Sequence, residues 1–171
     1  TIPAVIAGVM ARELIADSFR APHIIGFSFV VTGIVLVIGE QFPEKQKAKS
    51  LPRMNAFLIG CAQAFALIPG ISRSGFTISA GRVAGLSRKE ALDFSFLLSA
   101  PVIGGATTLT FIDTFNGGAF LLAPSIIFIG FLSSFIVSLL AILFLRKWVV
   151  SHSLAWFAAY LVPMGLFLAF M

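Results

Sequence analysis

Pro69-Gly70-Ile71-Ser72-Arg73-Ser74-Gly75-Phe76-Thr77 is a polar knot between two apolar runs, and its reading decides the fold. A guanidinium at membrane depth is costly unless it is paired or wetted, so Arg73 marks a functional site by default. Pro69 closes the helix before it. Gly70 and Gly75 let backbone approach a ligand or take φ > 0. Ser72, Ser74 and Thr77 place hydroxyls on the opening turn of the next helix. Free N–H groups, hydroxyls and a planar cation in one place suit an oxyanion, above all a phosphate gripped by the arginine and a helix N-terminus.

The rest of the chain explains why such a knot lies at depth. Of its 171 residues 58% are hydrophobic, 11% are charged and 19 are Phe, a composition too apolar for a soluble domain. The formal charge of +5 gathers in short segments between apolar spans. It reads as membrane topology, and excludes a nucleic-acid partner. Cys61 is the single cysteine, so no intrachain disulfide forms, and its apolar helix makes it packing. The run 3–11 is too short to cross a bilayer that needs about 20 residues, and the sequence starts at Thr1, so the chain is expected to be part of a longer protein.

Working outward, Arg12, Glu13, Asp17 and Arg20 mark an aqueous interface, and 24–39 is a span whose Gly26 and Gly33 share a face for close packing. The segment 40–53 carries Lys45, Lys47, Lys49 and Arg53 and is the best cytoplasmic loop. Two short helices follow, 54–68 and 72–84, with Gly81 and Gly85 as a small-residue pair that lets them or a neighbour pack closely. Ser87-Arg88-Lys89-Glu90 is a capping box opening a helix that passes Pro101 to about residue 111. A turn at 113–118, a span at 119–145, a basic loop at 146–153 and a last span at 154–171 complete the chain. The loops at 45–53, 88–89 and 146–147 are basic and the turn at 113–118 is not. If the basic segments share one side, the helices between Arg53 and Arg88 must leave and return there. Residues 54–85 are then a re-entrant pair with the knot at its tip, lining a wet cavity, and 88–171 hold three transmembrane helices. The fold class is an all-α integral membrane protein, a multi-span bundle with a re-entrant helix-loop-helix, one half of an inverted repeat.

Gly60-Cys61-Ala62-Gln63-Ala64-Phe65-Ala66-Leu67-Ile68-Pro69-Gly70-Ile71-Ser72-Arg73-Ser74-Gly75-Phe76-Thr77-Ile78 resembles the second signature of the bacterial undecaprenyl-diphosphate phosphatases, the bacitracin-resistance membrane enzymes. The resemblance spans essentially the whole chain, as the C-terminal two thirds of such an enzyme. It implies hydrolysis of undecaprenyl diphosphate in the bacterial plasma (inner) membrane, recycling the cell-wall lipid carrier. It implies Ser72, Arg73 and Thr77 as catalytic residues, with Gly70, Ser74 and Gly75 shaping a phosphate-binding loop. It also implies a divalent cation, Mg or Ca, with no ligands identified in this chain, and it admits a homodimer. The family's earlier signature joins a carboxylate pair four apart to a proline-serine-serine-threonine-glycine-histidine run. That joint signature is absent here, so the general acid or base is expected upstream of Thr1, in the other repeat.

Two mechanisms stay open. Ser72 attacks phosphorus if a base activates it, or Ser72 and Thr77 hold the diphosphate while an activated water attacks. The bland alternative makes Ser72 and Ser74 helix caps and has Arg73 snorkel to the interface or pair with a buried acid such as Asp93. Glu90 and Asp93 suit helix-start electrostatics, and His23 and His152 suit span ends. Gln63 either reaches the substrate or packs between helices. A competing class is a transporter or flippase for a phosphorylated polyprenol, which needs the same site and no proton-transfer group.

Overall fold

In a computed structural model of the chain, residues 21–45, 48–116 and 123–171 are described, together with Pro3, Ala7 and Gly8. Arg12, Glu13, Asp17, Arg20 and Lys47 lie outside the described residues, as do the two glycines of the 113–118 turn. Six α-helices and no strand occur among the described residues: α1 Pro22–Glu40, α2 Arg53–Phe65, α3 Arg73–Val83, α4 Arg88–Asn116, α5 Pro124–Ser151 and α6 Ala155–Ala169. The fold is an all-α membrane bundle. Helices α1, α4 and α5 are long and apolar enough to cross a membrane. Much of α4 and α5 presents large side chains such as Leu109, Phe128, Phe131 and Phe135 outward. An outer surface of that kind suits acyl chains as solvent.

Helices α1 and α6 form the tightest seam. A Cβ on Gly26 would lie 2.5 Å from Ala169 N and from Gly165 O, and one on Gly33 would lie 2.7 Å from Val162 Cγ2. Later residues of α1 thus meet earlier residues of α6, and the two run antiparallel. The neighbour expected for the Gly26 and Gly33 face is α6.

Helix α3 follows α1 in parallel, since Gly70, Gly75 and Ser79 meet Ser28, Thr32 and Gly39 in turn. Helix α2 folds back beside it, with the Phe65 and Phe76 rings 6.1 Å apart. Helix α4 returns along α3, where a Cβ on Gly81 would lie 3.0 Å from Ala91 Cβ. Gly81 therefore serves the α3–α4 contact. Gly85 is a turn residue with φ +89°, not a packing partner of Gly81.

Charged groups tie one end of the bundle. Glu40 closes α1 with a two-oxygen grip on Arg88 Nε, at 3.1 and 2.9 Å. Arg82 Nη2 donates to Phe42 O at 2.6 Å, and Arg146 Nε pairs with Asp93 Oδ1 at 2.8 Å. Arg146 and Lys147, expected in a loop, lie inside α5. The ion pair with Asp93 keeps Arg146 compatible with a continuing helix. Asp113 likewise lies within α4, which runs beyond residue 111. The capping box forms as read: Ser87 Oγ accepts from Glu90 N at 3.2 Å and donates to Glu90 Oε2 at 2.9 Å.

Because α2 starts and α3 ends at this charged end, the pair turns back within the bundle. With 13 and 11 residues the two helices reach only about 20 and 17 Å, short of a hydrocarbon core of about 30 Å. Arg73 at the tip meets Ser99, roughly 17 Å along the 29-residue α4.

Candidate anion site at the tip of the helix pair

Helix α2 ends at Phe65, earlier than residue 68. Pro69 disfavours helical backbone at Ile68, and the chain tightens through three bonds of shorter reach. Ala66, Leu67 and Ile68 N donate to Gln63, Ala64 and Phe65 O at 3.1 to 3.2 Å. Gly70 then takes φ +90°, where a Cβ would stand 2.8 Å from Ser28 Cβ and 2.9 Å from Ile25 O. Glycine is required there on both counts.

Ser72 is the N-cap of α3, its Oγ accepting from Gly75 N at 3.1 Å. Its own amide donates to Thr32 Oγ1 at 3.2 Å, and Thr32 in turn donates to Ser28 O at 2.9 Å. The cap is thereby fixed to α1. With Gly75 N satisfied by the cap, the amides of Arg73 and Ser74 lack helical acceptors and face outward from the helix start. A helix N-terminus with spare amides attracts an anion.

Arg73 is half-buried. Among the described residues its guanidinium makes one hydrogen bond, Nη1 to Ser99 O at 3.4 Å, and no ion pair. Asp93, the competing partner for Arg73, is held by Arg146. Ser72, Ser74 and Gly75 line one end of a cavity of about 290 Å³ whose other walls include Leu36, Phe96 and Leu161. Arg73 flanks α4 and is not among the lining residues.

Thr77 sits behind the loop, 1% exposed, with Oγ1 2.6 Å from Ser95 Oγ and 2.9 Å from Arg73 O. From there it joins the first turn of α3 to α4. Gln63 is 2% exposed, and neither amide atom has a partner among the described residues.

The sequence pattern of the family described as "Bacitracin resistance protein BacA" matches residues 1–167. This chain belongs to that family. Similar BacA-family relatives include the "Undecaprenyl-diphosphatase" of Rhodopirellula baltica, 39% identical over 97% of this chain and 65% of the relative. The protein of the same name from Corynebacterium glutamicum strain R is 39% identical over 97% of this chain and 57% of its own length. "Undecaprenyl-diphosphatase 4" of Bacillus cereus is 37% identical over 97% and 64%. The chain thus spans less than two thirds of the BacA-family relatives it matches. With three membrane-length apolar helices among the described residues it is a multi-pass membrane protein.

Thr32, Ser95 and Ser99 support the loop and were not singled out in the sequence. For Thr32 and Ser95 the signal was hydroxyls four apart in apolar helices, Ser28 with Thr32 and Ser95 with Ser99, a spacing that puts each pair on one face. Ser99 meets Arg73 through its backbone carbonyl, which no side-chain pattern marks.

Proposed function

We propose that the loop binds the terminal phosphate of undecaprenyl diphosphate, as part of a phosphatase that returns the lipid carrier to cell-wall synthesis in the bacterial plasma membrane. One observation carries this reading: the half-buried Arg73 charge, unspent on any carboxylate among the described residues, on the first turn of a helix with spare amides. In hydrolysis a water oxygen bonds to the terminal phosphorus as the bridging P–O bond breaks, leaving undecaprenyl phosphate and inorganic phosphate. Negative charge gathers on the non-bridging oxygens, where the Arg73 fork and the Arg73 and Ser74 amides stabilise it. Ser72, whose oxygen accepts from Gly75 N, keeps its own proton free to donate to phosphate. No carboxylate or imidazole hydrogen-bonds to Ser72 among the described residues, so a base that activated either Ser72 or the attacking water would come from outside the loop.

We read the α2–α3 pair as re-entrant in the bilayer and as one arm of an inverted repeat. The second arm, or a second copy in a homodimer, would bring the proton-transfer group. A divalent cation would also draw its ligands from there. The loop offers hydroxyls, amides and a cation, and no three His, Cys, Asp or Glu cluster among the described residues. That donor set does not fit Mg or Ca, so the roles given to the loop are those its own groups can fill.

The test is phosphate release from undecaprenyl diphosphate by the full-length protein in detergent. Arg73→Ala is expected to lose at least about a hundredfold, with an unchanged thermal midpoint. Turnover near wild type in Arg73→Ala, or lipid movement without hydrolysis in vesicles of the unmutated protein, would overturn the reading, the latter in favour of a carrier.

A further inference from the structure

At the far end of α3 from the loop, roughly 15 Å along the helix, a second cavity of about 350 Å³ is lined by Glu44, Arg82, Ser87, Arg88, Lys89 and Val150. Arg82 sets its character. Its side chain is 7% exposed, with Nη1 donating to Leu86 O at 2.7 Å and Nη2 to Phe42 O at 2.6 Å. Its Nε is buried without a partner among the described residues. Among the described residues no carboxylate pairs with it. A buried charge met only by carbonyl dipoles is under-compensated, and a nearby anion would relieve it.

The acids among the described residues do not fill that role. Glu40 is held by Arg88, and Glu90 is engaged by Ser87. Glu44, exposed at the rim, offsets one charge where Arg82 and Lys89 present two. The cavity also lies at the N-terminus of the 29-residue α4, which adds the partial positive charge of its first amides.

We propose that this cavity binds the phosphate of an anionic phospholipid headgroup, at a site separate from the catalytic loop. Arg82 supplies the buried charge and Lys89 the direct contact. Basic pockets between helices on the side where Lys and Arg gather suit such headgroups. The segment bearing Lys45, Lys49 and Arg53 places this end in that leaflet. Val150, 59% exposed at the mouth, gives the acyl chains an apolar approach.

The experiment follows the thermal midpoint of the full-length protein in non-ionic detergent while phosphatidylglycerol, phosphatidylcholine or inorganic phosphate is titrated in. Phosphatidylglycerol should raise the midpoint saturably and phosphatidylcholine should not. Lys89→Gln should move half-saturation roughly fivefold higher. Val150→Trp, which fills the mouth from an exposed position, should remove the response without unfolding the chain. Equal responses to the two lipids, or a phosphatidylglycerol response unaltered in both variants, would overturn the site. A phosphate titration that reproduces the shift with the same sensitivity to both variants would overturn the lipid as its occupant and assign a soluble anion instead.

Discussion

Arg73 and Arg82 stand at opposite ends of one 11-residue helix, and the fold treats them in opposite ways. Arg82 is nine-tenths buried and bonds two carbonyls at 2.6 and 2.7 Å, clamping the end of α3 to the segments after α1 and before α4. Among the described residues Arg73 has a single side-chain hydrogen bond, at 3.4 Å. One cation is built into the packing of the bundle and the other is held in reserve. At the charged end a guanidinium can be absorbed into structure. At the tip, about 17 Å away along α3, an uncommitted one is worth keeping only for a ligand.

The contrast can be broken most directly at Arg82. Arg82→Ala strands Phe42 O and Leu86 O and should cost about 3 kcal/mol, read as a lowered thermal midpoint in detergent, with the fraction that stays folded still releasing phosphate. A wild-type midpoint would dissolve the contrast. Gly70→Ala tests the tip. The φ of +90° and the 2.8 Å approach to Ser28 should cost about 2 kcal/mol, and because the strain falls beside Ser72, turnover should drop along with the midpoint. Loss of stability alone would uncouple the loop's shape from its chemistry. Thr77→Val sharpens the comparison at smaller scale. Removing the hydroxyl that meets Ser95 should cost about 1 kcal/mol and reduce turnover modestly through a looser first turn. A loss as large as that of Arg73→Ala would place Thr77 at the reacting phosphate instead.

The bundle was legible in the sequence because its signals are local. The short apolar runs around Pro69 and the basic segments at 45–53 and 88–89 led to a pair that turns back, and α2 and α3 do leave and return at one end. The Ser87 to Glu90 box and the Gly26 and Gly33 face were equally readable. The end of α5 was not. Arg146 and Lys147 look like a loop until a partner 53 residues away on α4 neutralises the arginine within a helix. Gly81 and Gly85 misled for the opposite reason, since spacing shows that two glycines share a face and not that one of them has left the helix. At the site, the knot declared its own groups, but Thr32, Ser95 and Ser99 sit in other helices and become visible only when those helices meet α3.

The α1–α6 seam has a bearing on how inactive alleles are interpreted. Thr32 precedes Gly33, so the hydroxyl that steadies the Ser72 amide is carried on the backbone wedged against α6. A bulky residue at Gly26, Gly33 or Gly165 would pry that contact open and carry the cap with it. If the proposed phosphatase reading holds, a genetic screen for lost activity would return hits along a helix face remote from the loop, and their map would trace the scaffold of the site rather than its chemistry.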